Sequence, residues 1–166
     1  MKMMAKLNLI LLCALVSISL LADEPLLPPA KVVAWSANHH YFVESLPDGD
    51  TTVYRMPKKT VLWKIPGWHR SVFVSDTGFI AIGYEGINLL PQDYRPDIVL
   101  IQLWYDGRLV HQIRLANLVR NLTLLRRTVT HFYWGMINGF NRNNQLEVAT
   151  VERTVLIDPK TWKPPN

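Results

Sequence analysis

Five histidines, His39, His40, His69, His111 and His131, are the side chains from which this chain could most readily build an acid–base or metal site. Their spacing argues against both. His39 and His40 are adjacent, so in a strand they point to opposite faces, and only one of them could join another histidine. There is no His-Glu-x-x-His, no His-x-His, and the single cysteine is Cys13, so no zinc signature is present. Ser71 and Ser75 lie in apolar runs without a Gly-x-Ser-x-Gly elbow. Ser75, just before Asp76, reads as a hydroxyl that bonds the backbone of its own turn.

The carboxylates fall mostly at turn positions (Asp48, Asp50, Asp76, Asp106, Asp158), which nominates no pair for glycoside hydrolysis. Asp48-Gly49-Asp50 lacks the further spaced oxygens of a calcium loop. Neither a Walker sequence nor Gly-x-Gly-x-x-Gly occurs. These absences give an expectation of no cofactor and no catalytic residue. The enzymatic alternative is a small hydrolase that gathers His69 or His131 with an acid such as Asp76.

An aromatic and arginine group remains. His131, Phe132, Tyr133 and Trp134 follow Arg126 and Arg127 and precede a polar run from Asn141 to Asn144. Rings that stack beside donors that form hydrogen bonds suit a glycan, a peptide or a protein partner. Arg126, Arg127, His131, Tyr133 and Trp134 are therefore the candidate binding residues, with an edge strand and loop as the purely structural reading. Between Asp106 and Glu147 there is no acid, while six arginines fall there, from Arg108 to Arg142. One face is expected to be basic. Nucleic acid is not among the expected partners.

The start of the chain sets the compartment in which such a site would work. Lys2 and Lys6 precede an apolar run, and small residues at Ser17, Ser19 and Ala22 offer peptidase sites, the pattern of a secretory signal over residues 1–22. Leu7 to Ala22 is shorter than the roughly 20 apolar residues of a spanning helix. Cleavage after Ala22 leaves no membrane span, and lipidation of Cys13 is disfavoured because Leu12 precedes it. Without Lys2 and Lys6 the 18 basic residues fall to 16 against 13 acids, a net charge of +3. Cys13 leaves with the signal, so the remaining chain has no thiol and no disulfide, and its stability must come from a core in which six Trp, six Tyr and five Phe are available.

Residues 23–30, DEPLLPPA, read as a proline-rich leading arm, and residues 31–166 as a single domain. Within it, short runs rich in Val, Ile, Tyr, Phe and Trp recur between turn residues: VVAW, YFVES, TVYRM, TVLWKI, SVFVS, FIAIGY, DIVLIQLW, RLVHQI, LEVATVE and RTVLIDP. These are strand signals. Asp48-Gly49, Asp76-Thr77-Gly78, Asp106-Gly107 and Asn143-Asn144 between them predict tight antiparallel hairpins. One segment differs: Leu115, Leu118, Val119, Leu122 and Leu125 recur at helical spacing and predict a short amphipathic helix over 115–125.

The stretch VFVSDTGFIAIGYEG followed by DIVLIQLWYDGRLVHQIRL resembles a blade of the bacterial secreted β-propellers of the WD/YVTN-like superfamily, on Ser75, Asp76, Gly78, Asp106, Gly107, Leu109 and Val110. LEVATVERTVLIDPKTW is similar to the end of such a blade, with Asp158 to Thr161 as its turn, and Ser36 to Trp63 to a degenerate earlier copy. The resemblance implies a ligand-binding or interaction scaffold, bacterial and placed in the envelope or outside the cell. Propellers close with four or more blades of ~40 residues, whereas this chain has room for about three.

The fold expectation is thus mainly β: blade-like antiparallel sheets in a partial propeller-like array, or a sandwich or barrel, with one short helix near 115–125. The functional expectation is an exported, non-catalytic binding module, with a self-associating structural component, joined through edge strands, as the third reading. The signal carries its own test. The protein recovered from outside the cytoplasm of an expressing bacterium should begin at Asp23 by mass spectrometry, and its melting temperature should not respond to reductant.

Overall fold

The structure, a computed structural model, describes residues 25–163. In chain order its strands are β1 (Val32–Trp35), β2 (Tyr41–Ser45), β3 (Thr51–Arg55), β4 (Thr60–Ile65), β5 (Val72–Val74), β6 (Ile80–Gly83), β7 (Leu89–Pro91), β8 (Val99–Tyr105), β9 (Arg108–Arg114), β10 (Arg126–Arg127), β11 (His131–Tyr133), β12 (Gly135–Phe140), β13 (Leu146–Thr150) and β14 (Thr154–Ile157), with one helical turn, α1 (Leu115–Leu118), after β9. They form four antiparallel sheets: a first, β1-β2-β3-β4; a second, β5-β6-β8-β9; a third, β12-β13-β14; and a small one, β10-β11-β7. No barrel closes. The signal at 1–22 lies outside the described residues.

The expected hairpins form where the turn residues stand, joining β2 to β3, β5 to β6, β8 to β9 and β12 to β13. At the β8–β9 corner Asp106 and Gly107 both have positive φ, 49° and 73°, the backbone of the two-residue turn that follows the twist of its strands. β7, β10 and β12 lie outside the expected strand runs, the first two being short and without alternation and β12 carrying two glycines, Gly135 and Gly139, that read as loop.

The helical segment is shorter than its leucine spacing suggests. After α1, Val119 is extended at φ −117°, and a separate 3-10 turn spans Leu122–Leu124. Asparagine side chains cap the start of each short turn, Asn117 that of α1 and Asn121 that of the 3-10 turn. Asn117 Oδ1 accepts from the Arg114 amide at 2.8 Å, and Asn121 Oδ1 from the Thr123 amide at 3.1 Å. The Arg120 amide donates instead to Glu152 at 2.8 Å. Leu115, Leu118, Val119 and Leu125 are still buried, so the periodicity records burial, and tertiary bonds decide the backbone.

Strand alternation then decides the stacking. On one face of the second sheet Val72, Val74, Ile80 and Ile82 pack against Val43, Val53 and Ile65 of the first, with Trp63 and Trp104 at the edge. From its other face Ala81, Ile101, Leu103 and Ile113 meet Leu146, Val148 and Ile157 of the third, together with Leu90, Leu115 and Trp134. The second sheet is therefore the middle of a three-sheet stack, and β6 is buried along its whole length. β5 packs against β1, β2 and β12, which brings the leading strands of the three sheets together.

The turns that end those leading strands share one bonding pattern. The Ser36 amide donates to Tyr41 O at 3.0 Å while Ser36 Oγ accepts from the Tyr41 amide at 3.0 Å. Ser75 and Phe79 do the same at 2.9 and 2.9 Å, and Asn141 and Gln145 at 2.9 and 3.1 Å. The turns are also tied in series, since Asp76 Oδ1 accepts from the Asn38 amide at 2.7 Å and the Asp76 amide donates to Asn144 Oδ1 at 2.7 Å.

Because Ile101 lies wholly buried in the central sheet, Ile101→Ala should cost about 2–5 kcal/mol in urea denaturation. Val110→Thr, on the exposed outer strand of the second sheet and 40% exposed, should stay within about 0.5 kcal/mol.

Candidate functional site

The small sheet gathers part of the aromatic and arginine group. Arg126 is opposite Tyr133, and Arg127 opposite Phe132. Directly opposed residues share a face, as do residues two apart, so Arg126, Tyr133 and His131 lie on one side. Phe132 turns inward against Tyr94, ring centroids 5.4 Å apart. Both arginines are exposed, and His131 Nδ1 lies 2.8 Å from Thr130 Oγ1. Trp134 leaves the group: it is fully buried, its indole N–H donates to Ile87 O at 3.0 Å, and no ring face is open to a ligand.

The proposed pairing of a histidine with Asp76 does not form, because that carboxylate is engaged by Asn38 in the chain of turns. His39, at φ 56°, sets its ring edge-on to Trp35. Among the described residues no three of His, Cys, Asp and Glu converge as a metal cage.

His69, by contrast, has an environment that no sequence motif signals. It lies in the connection from β4 to β5, held over the open end of the second sheet. Its amide donates to Ser45 Oγ at 2.7 Å. Thr51 Oγ1 lies 2.8 Å from His69 Nδ1, 2.7 Å from Ser45 Oγ and 3.0 Å from Gly67 O. The hydroxyl has one hydrogen; when it goes to Ser45 or Gly67, Nδ1 must itself donate, which leaves Nε2 as the acceptor of the ring. Beside the ring is a cleft of about 180 Å³ lined by Gly83, Tyr84, Glu85 and Gln102. Burial holds the imidazole below its ordinary range, and the Glu85 carboxylate opposes that shift. Burial likewise raises the Tyr84 phenol, with Glu85 and Asp93 adding to it. The cleft therefore offers a neutral imidazole and a carboxylate. Ser45 and Thr51 are fully buried, so neither hydroxyl can meet a substrate as a nucleophile.

A second and larger concavity, about 330 Å³, opens where the three leading strands converge. Ala34, Trp35 and Ala37 line it from β1 and its turn, Phe73 and its neighbours from β5, and Gly139 and Phe140 from β12. Its lining side chains are apolar or aromatic, and polar atoms make up about as much of the exposed wall as apolar ones. Gly139, at φ 100°, lets the backbone pass beside the Phe73 ring, where a Cβ would stand 3.4 Å from it. The size is at the lower end of small-molecule sites, enough for one aromatic group. Only Trp35 of this wall carries an obvious sequence signal, and the cavity arises from residues about a hundred positions apart.

No protein-family model, no curated protein and no solved structure matches the chain. Function must therefore be argued from these sites.

The sign of the His69 shift sets a pH response. Above about 6.5, the ordinary imidazole value, the residue is neutral in both states and its contribution is constant. As the pH falls from there toward the lower folded value, the unfolded chain takes up a proton that the folded chain refuses, so stability declines. The His69 ring proton should titrate below 6.5 by NMR, and Glu85→Gln should lower the midpoint further; a midpoint at or above 6.5 would contradict the burial argument.

Proposed function

We propose that this chain is an exported, non-catalytic interaction module made of three blade-like repeats, and that its ligand places an apolar or aromatic group in the cavity between the leading strands. The cavity is the observation that carries the reading: it is aromatic, open to solvent, and built by β1, β5 and β12 together. The shared Ser36, Ser75 and Asn141 turns support the repeat, and the N-terminal pattern of residues 1–22 supports export. A peptide or protein side chain, or an aromatic aglycone of a glycan, has the right chemistry.

The His69 cleft favours a hydrolase less. It holds a neutral base, but the hydroxyls bonded to that base and its backbone are buried, so a reaction there would need water as its nucleophile and a substrate oriented by Glu85 and Gln102 alone.

Ala37 is exposed at the cavity rim, so Ala37→Trp should fill the cavity without disturbing the core. Calorimetric titration with indole, or with anilinonaphthalene sulfonate, should show saturable binding to the parent protein and at least tenfold weaker binding to this variant, with an unchanged melting temperature. Equal binding by both proteins would place the probe elsewhere and defeat the reading.

A further inference from the structure

The two outer sheets of the stack each cover one face and leave the other open. Cross-strand register assigns the open faces. On the first sheet one row runs Trp35, Phe42, Tyr54 and Val61 straight across all four strands, and the next runs Val33, Glu44, Thr52 and Lys64. Trp35, Val33 and Val61 are 46%, 45% and 53% exposed. The Trp35 and Phe42 rings are 4.6 Å apart, Phe42 and Tyr54 5.6 Å, and Lys59 Nζ stands 5.3 and 4.9 Å from the Phe42 and Tyr54 centroids. Lys31 pairs with Glu44, the carboxylate in the second row. Phe42 and Thr52 are themselves buried, and Lys64 pairs with Asp50 at 3.7 Å, so the face presents Val33, Trp35 and Val61, with Lys59 as its lysine outside the ion pairs.

On the third sheet the open face carries a row of Met136, Ala149 and Thr154, and beside it Glu147 and Leu156. Met136 and Leu156 are 48% and 50% exposed. Glu147 accepts a hydrogen bond from Asn138 at 2.9 Å, and no lysine or arginine among the described residues pairs with it. The face is apolar, with the single carboxylate of Glu147.

We infer that the partner for these faces is a second copy of this chain: the aromatic, lysine-bearing face of the first sheet in one chain docks on the Met136, Leu156 and Glu147 face of the third sheet in the other. This rests on the blade-like reading proposed above. The two faces are complementary in one charge pair, Lys59, which stands over the rings of the first sheet and is in no salt bridge there, and Glu147. They are also the two ends of one stack, so a pairing of unlike ends either closes or grows without limit. Two chains related by a twofold axis make the contact twice and close six blade-like sheets into a ring, within the range at which such sheets close. In that ring the two cavities between the leading strands face a common axis. The contact buries on each sheet an apolar face of the kind that the second sheet already has covered on both sides, and it uses sheet faces where strand-edge pairing was the initial expectation.

The test is the solution mass of the chain as the cell processes it, measured by analytical ultracentrifugation at micromolar concentration. A two-chain species is expected. Val33→Lys and Leu156→Lys each set a long charged side chain, directly opposite Glu44 or Glu147, in the middle of both contacts of their own dimer, where it displaces apolar packing and must be desolvated, and each should weaken association at least about tenfold, with circular dichroism and melting temperature retained. Mixing the two variants should restore a two-chain species, because one contact of the mixed pair joins an intact first sheet to an intact third sheet. A single-chain mass for the parent protein overturns the inference, as would follow if the face of the first sheet were covered by the chain's own N-terminal residues. A mass that grows with concentration, or mixed variants that stay apart, overturns it equally. A single-chain protein that still binds indole through the cavity would sink this inference and leave the binding reading standing.

Discussion

The constraint on which the rest of the structure depends is that the second sheet, apart from its outer strand β9, has no solvated face. Its strands alternate, as strands must, yet both sets of side chains are apolar: Val72, Val74, Ile80 and Ile82 to one side, Ala81, Ile101, Leu103 and Ile113 to the other. A sheet of this kind cannot exist alone in water, so it commits the chain to a first sheet and a third sheet laid against it. With no cysteine among the described residues, this apolar layering is what holds the domain together. α1 and the buried Leu118 and Val119 close the layer between the second and third sheets, which explains why the leucine spacing persists where the helix does not.

Polar groups act at one end of this stack. Asn38, Asp76 and Asn144 join three turns in sequence by bonds of backbone amides to side-chain oxygens, and each turn is closed internally by Ser36, Ser75 or Asn141. Short side chains with an oxygen two or three bonds from Cα can do both jobs without filling space. The leading strands are thereby held at a fixed separation, and the small side chains Ala34, Ala37 and Gly139 leave the space between them unfilled. The cavity is a consequence of where the turns are pinned.

The candidate site was legible only in part. The aromatic and arginine group reads clearly as a composition, and β10 and β11 do bring Arg126, His131 and Tyr133 to one side of a sheet. Trp134 continues the same run in sequence but crosses into the core, where a carbonyl 47 residues earlier accepts its indole hydrogen; one step along the chain reverses the side on which a side chain lies. His69 had no motif because its partners Ser45, Thr51 and Gly67 come from turns and strand ends. Such groups carry no spacing rule.

The sequence by itself determined the elements: alternation and β-branched runs gave the strands their places, and Asp-Gly and Asn-Asn pairs, which accept positive φ, gave the hairpins theirs. Both signals are local, lying within a few residues of the structure they specify. Which sheet lies between the others, which of two exposed faces remains open, and where a cavity and a buried imidazole arise were decided by the tertiary structure. These depend on contacts between residues such as Ala34, Phe73 and Gly139, and burial of apolar area, being non-directional, leaves no pattern along the chain to announce its partners.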